Sequence, residues 1–533
     1  MQHADSVFRR GRIVTLSRAQ PQAQALAVRN GKILALGSND DIAALVGPGT
    51  AVHDLEGHVV VPGFHDAHCH ILLFGLSLTE VRAQGARSIT EIAGAVATFA
   101  QRLAPGRWIR GGGYNENILA EGRHPTRGDL DAVAPEHPVS LAHVSGHMGV
   151  ANSRALALAG ITRDTADPVG GAIARDTTGE PTGLLQETAQ ELIKRILPPY
   201  SLAETKAALV AAGQQMATEG ITSAQDAWAG WIAPEEFRAY QEASGDGSLP
   251  QRVWLMPDVE SVPAAQGRFD FAFGLHTGFG TDHLRLGAMK LFLDGSLIGR
   301  TAALSTPYAN APDTRGFLVK SEETIREQVH MAHMGGWQVA MHAIGDRAIE
   351  VGLDAIEATM GTEAARLRPR IEHCGILRPD LIARIRALGA VIVTQPRFIT
   401  ELGDGFRAAL GDERLRLTYP LASLRGLPVA LSSDRPVVNG APLLGIHAAV
   451  TECTASGAPY VPGEAIAVGE ALRWYTQGGA YAAGAEHELG NLEPGKWADF
   501  VVLSDDLLGI LADDIEHIRV LQTVVSGVVV FQR

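Results

Sequence analysis

Val59-Val60-Val61-Pro62-Gly63-Phe64-His65-Asp66-Ala67-His68-Cys69-His70 carries an apolar run into two histidines two residues apart. The β-branched start predicts a strand over Val59–Phe64. Side chains alternate faces along a strand, so His68 and His70 point the same way, roughly 6–7 Å apart at Cα. Two imidazoles on one face can grip one divalent ion. Two ordinary polar or core histidines are the alternative. His65 and Asp66 crowd the same turn, and the rest of the chain must decide.

Outward from this stretch, apolar strand-like runs alternate with helical patterns. Candidate strands are 59–64, 221–225, 253–256, 284–293, 338–342, 370–373, 391–395 and 429–432, with helices such as Glu322–Met334 and Arg347–Met360 between them. Alternation of this kind implies βα units and a parallel sheet. Eight such strands predict an α/β fold of the (β/α)8, TIM-like barrel type, with the active site at the C-terminal strand ends. Residues 111–199 are rich in Gly, Asn, His and Pro and too long for one βα loop, so an insertion near the active face is expected there. Both ends of the chain read as β structure. Ala23–Val28 and Ile33–Gly37 flank Arg29-Asn30-Gly31-Lys32, a hairpin signal, and 498–503 and 524–530 are strand-like. A small β-sandwich domain built from 1–60 plus 485–533 is predicted around a hydrolase barrel over 61–484.

Composition narrows the class. With 533 residues the chain suits two domains or one large barrel with additions. A formal net charge of −14 disfavours nucleic acid or an anionic membrane as partner. The three cysteines, Cys69, Cys374 and Cys453, are too few for a disulfide framework, and a reducing, cytoplasmic setting is expected. The first residues show no secretory signal, and no apolar run is long enough for a transmembrane helix.

Four later residues bear on the histidine pair. Lys290 sits inside Leu284–Asp294, and a lysine on a buried strand must be paired, neutralised or modified. Carboxylation of its amine by CO2 would make an anionic oxygen ligand, and pairing with Asp294 is the alternative. His342 follows Gln338-Val339-Ala340-Met341, His373 ends Arg370-Ile371-Glu372-His373, and Asp434 ends Val429-Ala430-Leu431-Ser432-Ser433-Asp434. Each stands where an apolar strand gives way to a loop. Imidazole and carboxylate suit zinc and similar divalent ions.

Together these residues resemble the amidohydrolase superfamily, in its amidohydrolase-3 branch of YtcJ-like and N-substituted formamide deformylase-like proteins. The resemblance covers nearly the whole chain. It rests on Pro62–His70, Ser145-Gly146-His147 with Asn152-Ser153, Gly183-Leu184-Leu185-Gln186-Glu187, and Asp294-Gly295-Ser296 with Thr301-Ala302-Ala303. His342-Ala343-Ile344-Gly345-Asp346, Glu372-His373 and Ser432-Ser433-Asp434 complete it. It implies that His68, His70 and Asp434 hold a first metal. A carboxylated Lys290 would bridge to a second, held by His342 and His373. One or two divalent ions per chain, zinc before others, would activate a water, with Asp434 as general base and then as acid toward the leaving amine.

The insertion is expected to supply substrate contacts: Tyr114, Asn115 and Asn117 along the pocket, and His147 either orienting the scissile carbonyl or serving structure. Many members of the family it resembles carry Gly-Trp-Asp near this position, and here the run is Gly113-Tyr114-Asn115, a departure that bears on substrate identity. Arg300 and Arg397 would bind a substrate carboxylate or form surface ion pairs. Cys69 and Cys374 are expected to pack, with no base beside them. The function implied is hydrolysis of a C–N bond, amide or formamide, in a small molecule. A deaminase of a heterocyclic amine is the alternative, ranked lower because Lys290 is present and Asp346, not Glu, follows His342. A non-catalytic scaffold ranks last. The expected partner is a small-molecule substrate, and a homodimer is left open.

Overall fold

The computed structural model describes residues 3–144, 147–265, 267–269 and 274–533, without the side chains of Asn117, Ala265 and Arg268. Two compact units divide it. One comprises Met1–Ile71 and Gly213–Arg533, the other Leu72–Ala212.

In the first unit, strands from both ends of the chain share one sheet. Its order is Val528–Gln532, Val520–Val525, Phe500–Leu503, Val59–Pro62, Arg12–Val14, Gln22–Ala23. A second sheet runs Lys32–Gly37, Ala25–Arg29, Ser6–Arg9, Ala51–Asp54. One apolar cluster joins them, drawing Phe8 and Leu26 from the second sheet and Ile13, Val60, Phe500 and Val524 from the first. Phe8 meets Phe500 edge-on at 4.8 Å. The Asn30-Gly31 turn has φ of 50° and 75°, the left-handed pair that a tight hairpin needs. The run 524–530 is not one strand. Ser526 and Gly527, at φ 51° and 72°, turn it into a hairpin.

The same unit holds two parallel sheets. The first is ordered Leu284–Leu286, Arg252–Pro257, Ile221–Ala229, Phe64–Cys69, and the second Met289–Phe292, Val339–Ala343, Arg370–His373, Val391–Thr394, Val429–Leu431. Helices Glu322–Met334, Asp346–Met360, Pro379–Leu388 and Arg397–Leu415 alternate with the strands of the second. Glu322–Met334 begins where Ser321 Oγ accepts the Thr324 N–H at 3.1 Å. Asp346–Met360 buries Ile349, Leu353 and Ile356 in the cluster that holds Met341 and Ile371.

Two expected strands are redrawn. Val59–Pro62 pairs antiparallel with Phe500–Leu503, and the histidine-bearing strand is Phe64–Cys69, parallel to Ile221–Ala229. Gly63 separates them. A Cβ there would lie 2.1 Å from Thr222 Oγ1, so glycine lets the chain pass this close to the Ile221–Ala229 strand. The run 284–293 breaks at Gly287-Ala288 and gives one strand to each parallel sheet.

The second unit is a six-stranded sheet ordered Gly171–Arg175, Pro181–Glu187, Met148–Ala151, Val139–His143, Ile109–Tyr114, Val81–Arg82, with helix Ile89–Ala100 packed on it. It spans Leu72–Ala212, reaching beyond residues 111–199 at both ends. Among the described residues no helix is long and apolar enough to cross a membrane.

Candidate metal centre

His68 belongs to the Phe64–Cys69 strand and His70 follows it, with ring centroids 5.5 Å apart. Backbone bonds tie this strand end to the loop after Val429–Leu431: Asp434 N–H donates to His68 O at 2.8 Å and His70 N–H to Arg435 O at 2.9 Å. Asp434 Oδ1 thereby comes 3.3 Å from His68 Nε2 and 3.0 Å from His70 Nε2. Lys290 Nζ is 3.4 Å from His68 Nε2. The His342 and His373 rings lie 4.5 Å apart, and His373 is 4.9 Å from His68. His373 and Asp434 hold left-handed backbones, φ 67° and 58°. Such conformations persist in non-glycine residues only where the surroundings enforce them.

Groups behind the rings select which nitrogens face inward. Glu372 Oε2 contacts His68 Nδ1, so the carboxylate holds that proton and leaves Nε2 unprotonated. Gln395 Oε1 accepts from His373 Nδ1 at 2.9 Å and likewise frees Nε2. Gly295 O lies 3.1 Å from His342 Nε2, which frees Nδ1 there. Glu372 is itself clamped by Arg370, Nε to Oε1 at 2.7 Å, and Arg370 also donates to Gln225 Oε1 and, at 2.8 Å, to Ala67 O. All of these side chains are buried except the partly exposed His342.

Electrostatics favours a cation among them. Burial alone would raise Asp434, but the His68 and His70 imidazoles outweigh it and hold the carboxyl well below its usual range. Its Oδ1 is buried and faces the Nε2 atoms of both imidazoles, at 3.3 and 3.0 Å. Ligands of a tetrahedral zinc at about 2.0–2.1 Å stand ~3.3 Å apart, close to the spacing found. His68, His70 and Asp434 are thus placed to hold a metal ion. Burial lowers Lys290 to about 8, which makes its neutral amine, the form that reacts with CO2, accessible near neutral pH. Burial, helped by Lys290, keeps His342 neutral with a pKa of about 3, and burial likewise drives His373 well below its usual value. Neutral imidazole is the ligating form.

His68, His70, Lys290, His342, His373 and Asp434 all line one cavity of about 240 Å³. The rest of its wall is largely apolar, with Trp228, Phe292, Ile298, Phe398, Leu402 and Phe406. Residues 51–531 match the sequence profile of the amidohydrolase family. The chain belongs to the amidohydrolase family. It is 32% identical to the YtcJ protein of Bacillus subtilis, over 99% of each chain. It is 31% identical to an N-substituted formamide deformylase of Arthrobacter pascens, over 96% of this chain and 95% of that one. A solved structure of an uncharacterized metal-dependent hydrolase from Pyrococcus horikoshii superposes with a TM-score of 0.80 at 28% identity, over 95% of this chain and 99% of that one. The amidohydrolase thus sits in the YtcJ-like branch, beside metal-dependent hydrolases.

Other expected site residues lie elsewhere. Arg300 Nε donates to Asn310 at 3.1 Å and Arg397 Nε to Glu401 at 2.7 Å, and neither lines the metal cavity of this amidohydrolase. Both find partners along the chain, so the structure gives no support to a carboxylate clamp. In the second unit Tyr114 is fully buried in the core, edge-on to His124 and His143 at 6.0 and 5.1 Å. Asn115 is half-buried, and the exposed His147 has Nδ1 3.1 Å from Glu187. The Asn117 side chain and residues 145–146 lie outside what is described. Sequence reasoning missed Arg370, Gln225, Gln395, Trp228 and Tyr419. Arg370 alone left a trace, as an arginine opening an apolar strand.

Proposed function

We propose that this amidohydrolase cleaves the C–N bond of a small amide, an N-substituted formamide above all, whose substituent is apolar. One observation carries this reading: six ligand-type groups converge in a cavity whose remaining wall is aromatic and aliphatic. The identity to an N-substituted formamide deformylase supports it. The two parallel sheets are read as one (β/α)8 barrel. Asp258 bridges in parallel to Lys290, and Ala67 packs with Val391, Val393 and Ala430. That arrangement would set all six groups at strand ends on the catalytic face.

His68, His70 and Asp434 would hold one ion, and His342 and His373 a second, with carboxylated Lys290 between them. Bound zinc or a similar ion lowers the pKa of a water to about 7 and polarises the acyl oxygen. Asp434 takes the proton as the water oxygen bonds to the acyl carbon. The carbonyl π pair moves to the acyl oxygen. Its return breaks the C–N bond, and Asp434 passes its proton to the leaving amine. The apolar wall excludes bulk water and seats the amine substituent.

The test compares metal-stripped and zinc-reloaded protein on N-aryl and N-alkyl formamides, N-acyl amino acids and cyclic amides. Reloaded protein is expected to favour apolar formamides over the carboxylate-bearing substrates. Asp434→Asn is expected to lower kcat by ~10²–10⁴-fold. Full activity after complete metal removal would end this reading.

A further inference from the structure

We propose that Tyr419 is a catalytic residue whose hydroxyl donates a hydrogen bond to the acyl oxygen of the scissile amide and to the oxyanion that replaces it. This role rests on the amide-hydrolase reading. Tyr419 lines the metal cavity and is 1% exposed, yet among the described residues its Oη has no hydrogen-bond partner. A buried hydroxyl without a partner is costly, and native proteins keep one where something else supplies the partner. Here the open side is the cavity.

The chain fixes this hydroxyl from three directions. The ring stacks on Phe406, centroids 5.6 Å apart at 23°, and meets Phe398 edge-on at 5.8 Å and 85°. The backbone is left-handed, φ 44°, like that of His373 and Asp434. Its N–H donates to Gly375 O at 2.9 Å, and Thr418 pairs antiparallel with Ile376, so Tyr419 is pinned to the loop that leaves His373. Gly375 is tightly enclosed, since a Cβ there would lie 2.9 Å from Ile344 Cγ2, 3.0 Å from Ile344 O and 3.3 Å from Tyr419 Oη. A tyrosine in a sparsely populated conformation, rigidly packed and unpartnered only at its polar tip, is built to present that tip.

The position matches where charge develops. Asp434, the base, stands against His68 and His70, so the attacking water lies on that side. The acyl oxygen is directed away from it, toward the His373 side. Phe398 stacks on His373 there at 6.1 Å and 7°, and carries Tyr419 on its edge. During attack the carbonyl π pair becomes an oxygen lone pair, which accepts from Tyr419. On collapse the pair returns and the C–N bond breaks. Tyr419 keeps its proton throughout. Burial drives its pKa well above the usual phenol value, so it acts as a donor and not as a base.

The test is Tyr419→Phe in the metal-loaded full chain, read four ways: kcat, KM, metal content and Tm. Expected are a fall in kcat of about 10²–10³-fold with KM changed far less, unchanged metal, and a Tm equal to or above wild type. A purely structural tyrosine would lower Tm or metal content instead. Affinity for a phosphonamidate analogue of the tetrahedral state is expected to fall with kcat. Wild-type turnover matched within threefold by Tyr419→Phe, or a Tm lowered by several degrees, would overturn the role and leave the amide reading standing. Wild-type protein inert toward every amide would remove that reading, and this role with it.

Discussion

Glu372 and Glu452 are both buried glutamates, and their surroundings give them opposite charge states. Glu372, at the end of Arg370–His373, meets a guanidinium and an imidazole. Burial alone would raise its pKa, but Arg370 and His68 outweigh it and hold the carboxyl well below the usual range. Glu452, just past the Pro442–Thr451 helix, has no arginine or lysine bonded to it among the described residues. Its Oε1 has no hydrogen-bond partner, its Oε2 accepts only a long 3.4 Å bond from Val461 N–H, and burial pushes it up to about 8. An unpaired buried carboxyl neutralises itself by holding its proton. The difference teaches where this protein invests in charge. Behind His68 an anion is maintained at the cost of a buried partner, and at the helix end it is not.

Breaking the first arrangement is expected to have the largest effect. Arg370→Met strips Glu372, Gln225 Oε1 and Ala67 O of their donor at once. Removing one partner of a buried ion pair costs about 3–5 kcal/mol, so urea midpoints are expected to fall steeply. An unchanged midpoint would mean that water reaches Glu372. Next comes Glu372→Gln, which keeps the shape and removes the charge on the His68 proton. Loss of such a group weakens metal binding by ~10–100-fold, measurable by chelator competition. Equal affinity would show that His68 needs no orienting anion.

The second region gives a gentler and oppositely signed effect. Glu452 has a folded pKa near 8 against about 4.5 unfolded, so the folded state binds its proton more tightly. That contribution is fully present below pH ~4.5, erodes as pH rises, and is gone above about pH 8. Glu452→Gln removes the slope, so its Tm relative to wild type is expected to climb from pH 6 to pH 9. Parallel Tm curves would mean that the carboxyl ionises freely. The smallest effects are expected from Arg300→Ala and Arg397→Ala. Their partners, Asn310 and Glu401, lie outside the cavity, and kcat/KM should stay within about twofold.

The same contrast marks what could be read from the sequence. His68 and His70 stood out because strand periodicity needs only local spacing. Lys290, His342, His373 and Asp434 stood out because polar residues ending apolar runs are conspicuous. Glu372 and His68 are 304 residues apart, and Tyr419 faces the cavity from a loop without periodicity. No local pattern announces such pairs. The broken strand at 284–293 had a visible signal in Gly287, which the apolar residues around it masked. Pro62-Gly63 similarly marked the boundary between two strands within the opening stretch. The extent of the second unit was hidden because its helices and strands resemble the alternating segments of the first unit.

Gly63 joins two strands whose partners are made at very different times. Phe64–Cys69 lies beside Ile221–Ala229, but Val59–Pro62 is flanked by Phe500–Leu503. At a synthesis rate of about 5–20 residues per second, the second partner arrives roughly 440 residues and some 20–90 seconds later. For that interval the lead-in to His68 waits on the ribosome with one edge bare. Val59–Pro62 therefore gains its second neighbour only after all six candidate ligands, the last of them Asp434, have been made.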